Sequence, residues 1–178
     1  VELAAYLMEI MEIAWLTSEE RNVLLMLALL PASKHRLEDI CTLHWVEQED
    51  EFENHLNQLV ELGWVNDDSE GISMHSLISE ILLAKLLPNP SIVNTYLASV
   101  GFNLDYNHHG VHQAFLAKWL PYAEKLIRHL PIEVERMFRI YGNAAMVLSG
   151  VHRLDRALEL ISELESHLEA NHPGHHNM

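Results

Sequence analysis

The amino-acid sequence predicts a mainly α-helical chain interrupted by one small β-hairpin. Three observations carry this. Leu and Glu dominate, while Gly (7), Pro (6) and aromatic residues (7%) are scarce among 178 residues. Apolar residues recur at i, i+3, i+4 and i+7 along most of the chain. One segment, residues 64–74, departs from that period and alternates instead. Hydrophobic residues make up 49% and charged residues 21%, near the globular average, so a disordered chain is not expected. The length suits one ordinary domain or two small ones.

The first helix covers Leu3–Ile13, with Leu3, Leu7, Ile10 and Met11 on one face. Thr17-Ser18-Glu19-Glu20 is a capping box, in which the Thr17 hydroxyl accepts the Glu20 N–H while Glu20 reaches back. A helix should therefore run from Ser18 to Leu30, stopped by Pro31, with Val23, Leu24, Leu27 and Leu30 buried. A short helix is expected around Arg36–Leu43. Glu49–Leu62 carries Phe52, Leu56, Leu59 and Val60 in one stripe, and Gly63 is placed as its C′ residue.

Trp64-Val65-Asn66 reads as a strand, residues 67–71 as a turn cluster and Ile72-Ser73-Met74 as a second strand. A helix over Leu77–Leu87 follows, capped by Ser76 and ended by Pro88 and Pro90. Three helices, a hairpin and a closing helix describe a winged-helix module over residues 17–88.

After Pro90 the pattern is helical throughout: Ser91–Leu104, Val111–Leu120, Tyr122–Leu130, Ile132–Ser149 and Leu154–Glu169, with residues 105–110 as a loop. A shift of 34 residues aligns Leu120 with Leu154, Ala123 with Ala157, Leu126 with Leu160, Ile127 with Ile161 and Leu130 with Leu164. That period belongs to tetratricopeptide repeats. The last helix pair resembles one: Ala145 and Ala157 take the small-residue contact positions, Gly150 lies in the turn region, and His152 stands where that family has the turn glycine. Residues 89–178 are expected to be truncated antiparallel repeats of this type.

Charge narrows the function. Eleven Lys and Arg against 26 Asp and Glu give a net charge of −15 with His neutral. Between Leu37 and Ala84 there is no Lys or Arg and there are 12 Asp or Glu. Glu49–Leu62, the recognition-helix equivalent, carries Glu49, Asp50, Glu51, Glu53 and Glu61, and the wing turn carries Asp67, Asp68 and Glu70. A DNA reader needs cations there, so neither nucleic acid nor an anionic membrane is expected as a partner. The longest apolar stretch, Val23–Leu30, is far short of the ~18 residues of a membrane span. Cys41, the only cysteine, sits among Leu37, Ile40 and Leu43 and reads as a buried thiol. That fits a reducing, cytoplasmic setting.

No P-loop, nucleophile elbow or dinucleotide fingerprint occurs, so the chain by itself is not expected to be an enzyme. His108, His109 and His112, and His172, His175 and His176, cluster in loop or tail segments without a fixed carboxylate partner, and read as solvated rather than as a metal site. His75 is the candidate of most interest. It immediately precedes a helix, where backbone N–H groups, the positive dipole end and an imidazole together suit an anion.

The sequence of elements resembles a known family. A capped helix ending in Leu-Leu-Pro, an acidic helix closing on Leu62-Gly63-Trp64-Val65, and then Ile72-Ser73-Met74-His75-Ser76-Leu77-Ile78-Ser79-Glu80 are similar to the winged helix of signal-transduction NTPases with an NB-ARC core, the STAND class. Met74-His75 resembles the start of that family's Met-His-Asp motif, with Ser76 replacing the acid. The resemblance implies that residues 1–16 end a preceding helical domain and that this chain is a regulatory fragment. The winged helix would act as a nucleotide-dependent latch. Met74, His75 and Ser76 would lie at the cofactor, with His75 reaching the β-phosphate of ADP. ADP or ATP would be held mainly by a P-loop domain of the same polypeptide, absent from this chain. The repeats would sense a protein ligand, and activation would bring homo-oligomerisation. Two rival readings are a winged-helix transcription regulator with a helical sensor and a plain helical interaction scaffold.

Overall fold

The computed structural model describes residues 13–86, 90–105, 113–132 and 136–171. They form a mainly helical structure with a two-stranded antiparallel hairpin. The helix expected over Leu3–Ile13 lies outside the described residues, save for a short 3₁₀ turn at Ile13–Trp15. The chain forms two compact units, Val1–Tyr96 and Leu97–Met178.

In the first unit, α1 (Ser18–Leu29), α2 (Leu37–His44) and α3 (Glu49–Glu61) precede β1 (Asn66–Asp68), β2 (Gly71–Ser73) and α4 (Ser76–Lys85). The capping box forms as expected: Glu20 N–H donates to Thr17 Oγ1 at 3.2 Å and Thr17 N–H to Glu20 Oε2 at 2.6 Å. Helix α1 is the centre of the unit and packs against both α3 and α4. Leu24, Ala28 and Leu29 are wholly buried, as are Ile40, Leu56, Leu59 and Leu82 from the surrounding helices. Each large side chain of this set contributes roughly 1.5–3 kcal/mol of apolar burial. Ser79 ties α4 to α1, its hydroxyl donating to the Ala28 carbonyl at 2.9 Å.

The hairpin differs from expectation in register. Trp64 and Val65 are buried but lie outside the strand. The reason is the end of α3. Trp64 N–H bonds to Leu59 O at 2.9 Å and Gly63 N–H to Val60 O at 3.0 Å, with Gly63 at φ +77°. That is a Schellman closure, and it takes the Trp64 amide away from any ladder. The strands therefore begin at Asn66, pair Asn66 with Ser73, Asp67 with Ile72 and Asp68 with Gly71, and turn on Ser69 and Glu70. His35 adds a bridge on the other side of β2. It exchanges both backbone hydrogen bonds with Ile72, each 2.8 Å.

Helix α5 (Pro90–Asn103) contains the division between the units. Its first turns belong with the first unit rather than starting the second at residue 89. Tyr96 is completely buried there; its hydroxyl donates to the Leu29 carbonyl at 3.1 Å and its ring stacks on His44 at 4.8 Å.

The second unit holds the end of α5, then α6 (Gln113–Ala117), α7 (Leu120–His129), α8 (Met137–Gly150) and α9 (Leu154–Asn171). The helix expected over Val111–Leu120 ends at Ala117, and Leu120 opens the next one. Pro121 sits in the first turn of α7, where its missing N–H costs nothing and its fixed φ favours a start. Helices α8 and α9 share the most extensive contact of any two elements, with Ala145 and Ala157 both buried. Buried Asp105 pairs with Arg139 of α8.

Candidate functional site

His75 stands at the start of α4 with extended backbone angles (φ −61°, ψ 132°). The sequence suggested Ser76 as the cap; the cap is His75 itself, and Ser76 is the first helical residue. The imidazole does what an Asn or Asp side chain does at this position: Nδ1 accepts the Leu77 N–H at 3.2 Å. In the neutral ring the remaining proton is then on Nε2, on the opposite side of the imidazole. His75 and Ser76 are exposed and Met74 is half-buried.

Met74 helps line a cavity of about 10 Å³ together with Pro31, Ser33, His35, Ile72 and Ser79. Such a space holds about one water, so no nucleotide group enters behind the hairpin. A ligand at this edge would meet His75 from outside. His35 Nε2 lies 3.0 Å from Ser33 Oγ and 3.1 Å from the Pro31 carbonyl, and the residue is itself buried.

The acidic surface is laid out as the sequence suggests. Glu49, Asp50, Glu51, Glu53 and Glu61 of α3 are exposed, as are Asp67, Asp68 and Glu70 of the hairpin. One feature softens the hairpin tip: Lys34 Nζ bonds Asp68 Oδ2 at 2.7 Å and Glu70 Oε2 at 2.6 Å. The two bonds raise the Lys34 pKa, and the Lys34 ammonium lowers that of Asp68. Cys41 is buried; burial, with the Glu49 and Glu53 charges, pushes its thiol pKa up, away from the reactive thiolate.

His44 escaped the sequence reading. It is 5% exposed, neither ring nitrogen has a hydrogen-bond partner of good geometry, and it stacks flat on Tyr96. Burial pushes its pKa down to about 4, opposed only by the Met26 carbonyl. Its place on the apolar phase of α2, after Ile40, Cys41 and Leu43, was the signal that could have found it.

The histidines at 108, 109, 112, 172, 175 and 176 lie outside the described residues. Among the described residues no group of three or more His, Cys, Asp or Glu could hold a metal ion, and no helix is long and apolar enough to cross a membrane. No protein-family model matches the chain, and no curated protein or solved structure matches it.

Proposed function

We propose that this chain is the regulatory part of a STAND-type signal-transduction ATPase. Residues 17–88 act as a winged-helix latch on a nucleotide held by a P-loop domain of the same polypeptide. The helices of residues 89–178 act as tetratricopeptide-like repeats that sense a protein ligand. The observation that carries the reading is the setting of His75. It is exposed, its Nδ1 is occupied by the Leu77 amide, and Nε2–H is left at a helix N-terminus, where an ADP phosphate is stabilised by donor and dipole together. Switching follows from a differential contact: ADP bridges His75 and the P-loop domain in the closed state, and the bridge is lost when the domains part. Met74, half-buried at the end of β2, anchors the residue before the cap, and Ser76 starts the helix.

The exposed acids of α3 and the hairpin argue against the transcription-regulator alternative, since they would repel phosphate where a DNA reader needs cations.

Two substitutions, made in the polypeptide that carries the P-loop domain, separate latch from cap. His75→Ala removes both the cap and the Nε2–H and should cost about 0.5–1 kcal/mol of stability. His75→Asn restores the cap without the imidazole reach, so its stability should match the parent. Both should lose ADP faster and shift the size distribution toward oligomers. If His75→Asn retains ADP like the parent, His75 is a cap and the latch reading fails. The reading also requires a G-x-x-x-x-G-K-[ST] segment in the polypeptide; sequencing the coding DNA upstream of Val1 tests that directly.

A further inference from the structure

The last helix of the second unit buries one apolar row and displays another. Ala157, Leu160 and Leu164 of α9 are buried (4%, 0% and 9% exposed). Leu154, Leu158, Ile161 and Leu168 form a second row about a quarter-turn round the helix, and they are 55%, 64%, 41% and 39% exposed. The internal 34-residue period shows what such a row looks like when covered. Leu120 and Ile127 of α7 occupy the positions of Leu154 and Ile161, and they are only 5% and 8% exposed. Helix α7 packs on α8, and both of its rows are buried. The row on α9 therefore has the phase that a neighbouring helix covers elsewhere in this same unit.

Charge says which kind of helix. Glu165 falls within the row, and Asp155 and Glu169 fall on its flank by helical phase; all three are exposed. Arg156, the one Lys or Arg in α9, lies on the far side and pairs with Glu159 at 2.8 Å. A second copy would set acidic flank against acidic flank in a chain already at −15, and like charges brought together oppose such pairing. From Leu154 to Leu168 the row spans about 21 Å, four turns of a partner helix.

We propose that the Leu154–Leu168 row docks an amphipathic helix of a partner protein, apolar on one face and flanked by Lys or Arg. This deepens the protein-binding half of the reading above. Its test involves neither nucleotide nor His75, so the two fail separately.

Three synthetic peptides of about 18 residues serve as probes, with binding to the 178-residue chain followed by fluorescence anisotropy. One has Leu on a single helical face with Lys flanks, the second replaces Lys by Glu, and the third shuffles the first. The Lys-flanked peptide should bind and the other two should not. Leu158→Ser with Ile161→Ser should weaken it by about tenfold or more while leaving the circular-dichroism spectrum intact. If that double variant fails to fold, Glu165→Lys replaces it, and it should weaken the Lys peptide and strengthen the Glu peptide. No binding of the Lys peptide, equal binding of the shuffled one, or unchanged affinity in the folded variants overturns the proposal. So does sedimentation of the chain alone as a dimer that Leu158→Ser dissociates, which would make a second copy the occupant.

Discussion

A Cβ placed on Gly71 would lie 2.7 Å from the carbonyl oxygen of His35. The two backbones approach this closely because His35 and Ile72 exchange a pair of hydrogen bonds immediately beside Gly71. The bridge joins the segment after α1 to the hairpin, and the hairpin leads directly into Met74 and His75. The position of the candidate site thus rests on a glycine three residues before Met74.

Gly71→Ala should be strongly destabilising. Gly71 has φ +129°, a region open essentially to glycine alone, and the clash is with backbone rather than with a side chain that could move aside. A cost of at least about 2 kcal/mol is expected, read as a lower urea midpoint. Gly63→Ala is the control. Gly63 also has positive φ (+77°) but nothing lies within 4 Å of its Cβ position, so only the left-handed penalty of about 1 kcal/mol applies.

Acid should loosen the first unit through His44. The folded-state pKa is about 4, and the unfolded value is about 6.5. Between those values the unfolded chain binds the proton and the folded chain does not. Stability is therefore intact above about pH 6.5 and falls as the pH drops toward 4, by about 3 kcal/mol from this group. His44→Phe keeps a ring to stack on Tyr96 and has nothing to titrate. Urea midpoints measured from pH 7 to pH 4 should fall less steeply in that variant than in the parent; parallel curves would mean that His44 is not the group responsible.

Tyr96→Phe should cost about 1 kcal/mol, the worth of a buried hydroxyl donating to a carbonyl, here that of Leu29 in the last turn of α1. Thermal or urea unfolding reads this. The ring stack survives, so the acid sensitivity assigned to His44 should persist unchanged. The Tyr96 and His44 effects are thereby separable.

His152→Gly should stabilise the second unit. His152 has φ +63°, at the position after α8 where its N–H bonds to Ser149 O at 3.2 Å and the Arg153 N–H bonds to Leu148 O at 2.9 Å. Glycine takes this left-handed conformation freely, whereas other residues are strained in it by about 1–2 kcal/mol. Part of the gain is offset by the greater freedom of glycine in the unfolded chain, so a rise of up to about 1 kcal/mol is expected. His152→Val should lower stability, because a β-branched side chain fits this region worst.

The elements that were legible in the sequence are those specified by neighbours a few residues apart. Thr17 and Glu20 announced the start of α1. The Phe52, Leu56 and Leu59 stripe announced α3, and Gly63 announced its end. Ala145 and Ala157 marked the packed sides of α8 and α9. Hydrogen bonds to the third or fourth residue and a 3.6-residue period are local, so one-dimensional order is enough to read them. The acid run from Glu49 to Glu70 was equally legible, because charge needs no partner to be counted.

What tertiary structure alone decided depends on residues far apart in the chain. The strand register was set by Trp64 bonding back to Leu59 and by Ile72 pairing with His35, 37 residues earlier. The burial of His44 and its depressed pKa come from Tyr96, 52 residues away, and from the surrounding core. Lys34 reaches the acids of the hairpin tip across a similar gap. At the candidate site the sequence named His75, Met74 and Ser76, but which of them caps α4 was a matter of backbone angle and imidazole geometry. Residue order specifies which groups can form a helix turn; only the folded chain specifies which distant backbone or ring completes the hydrogen bonds and excludes the water.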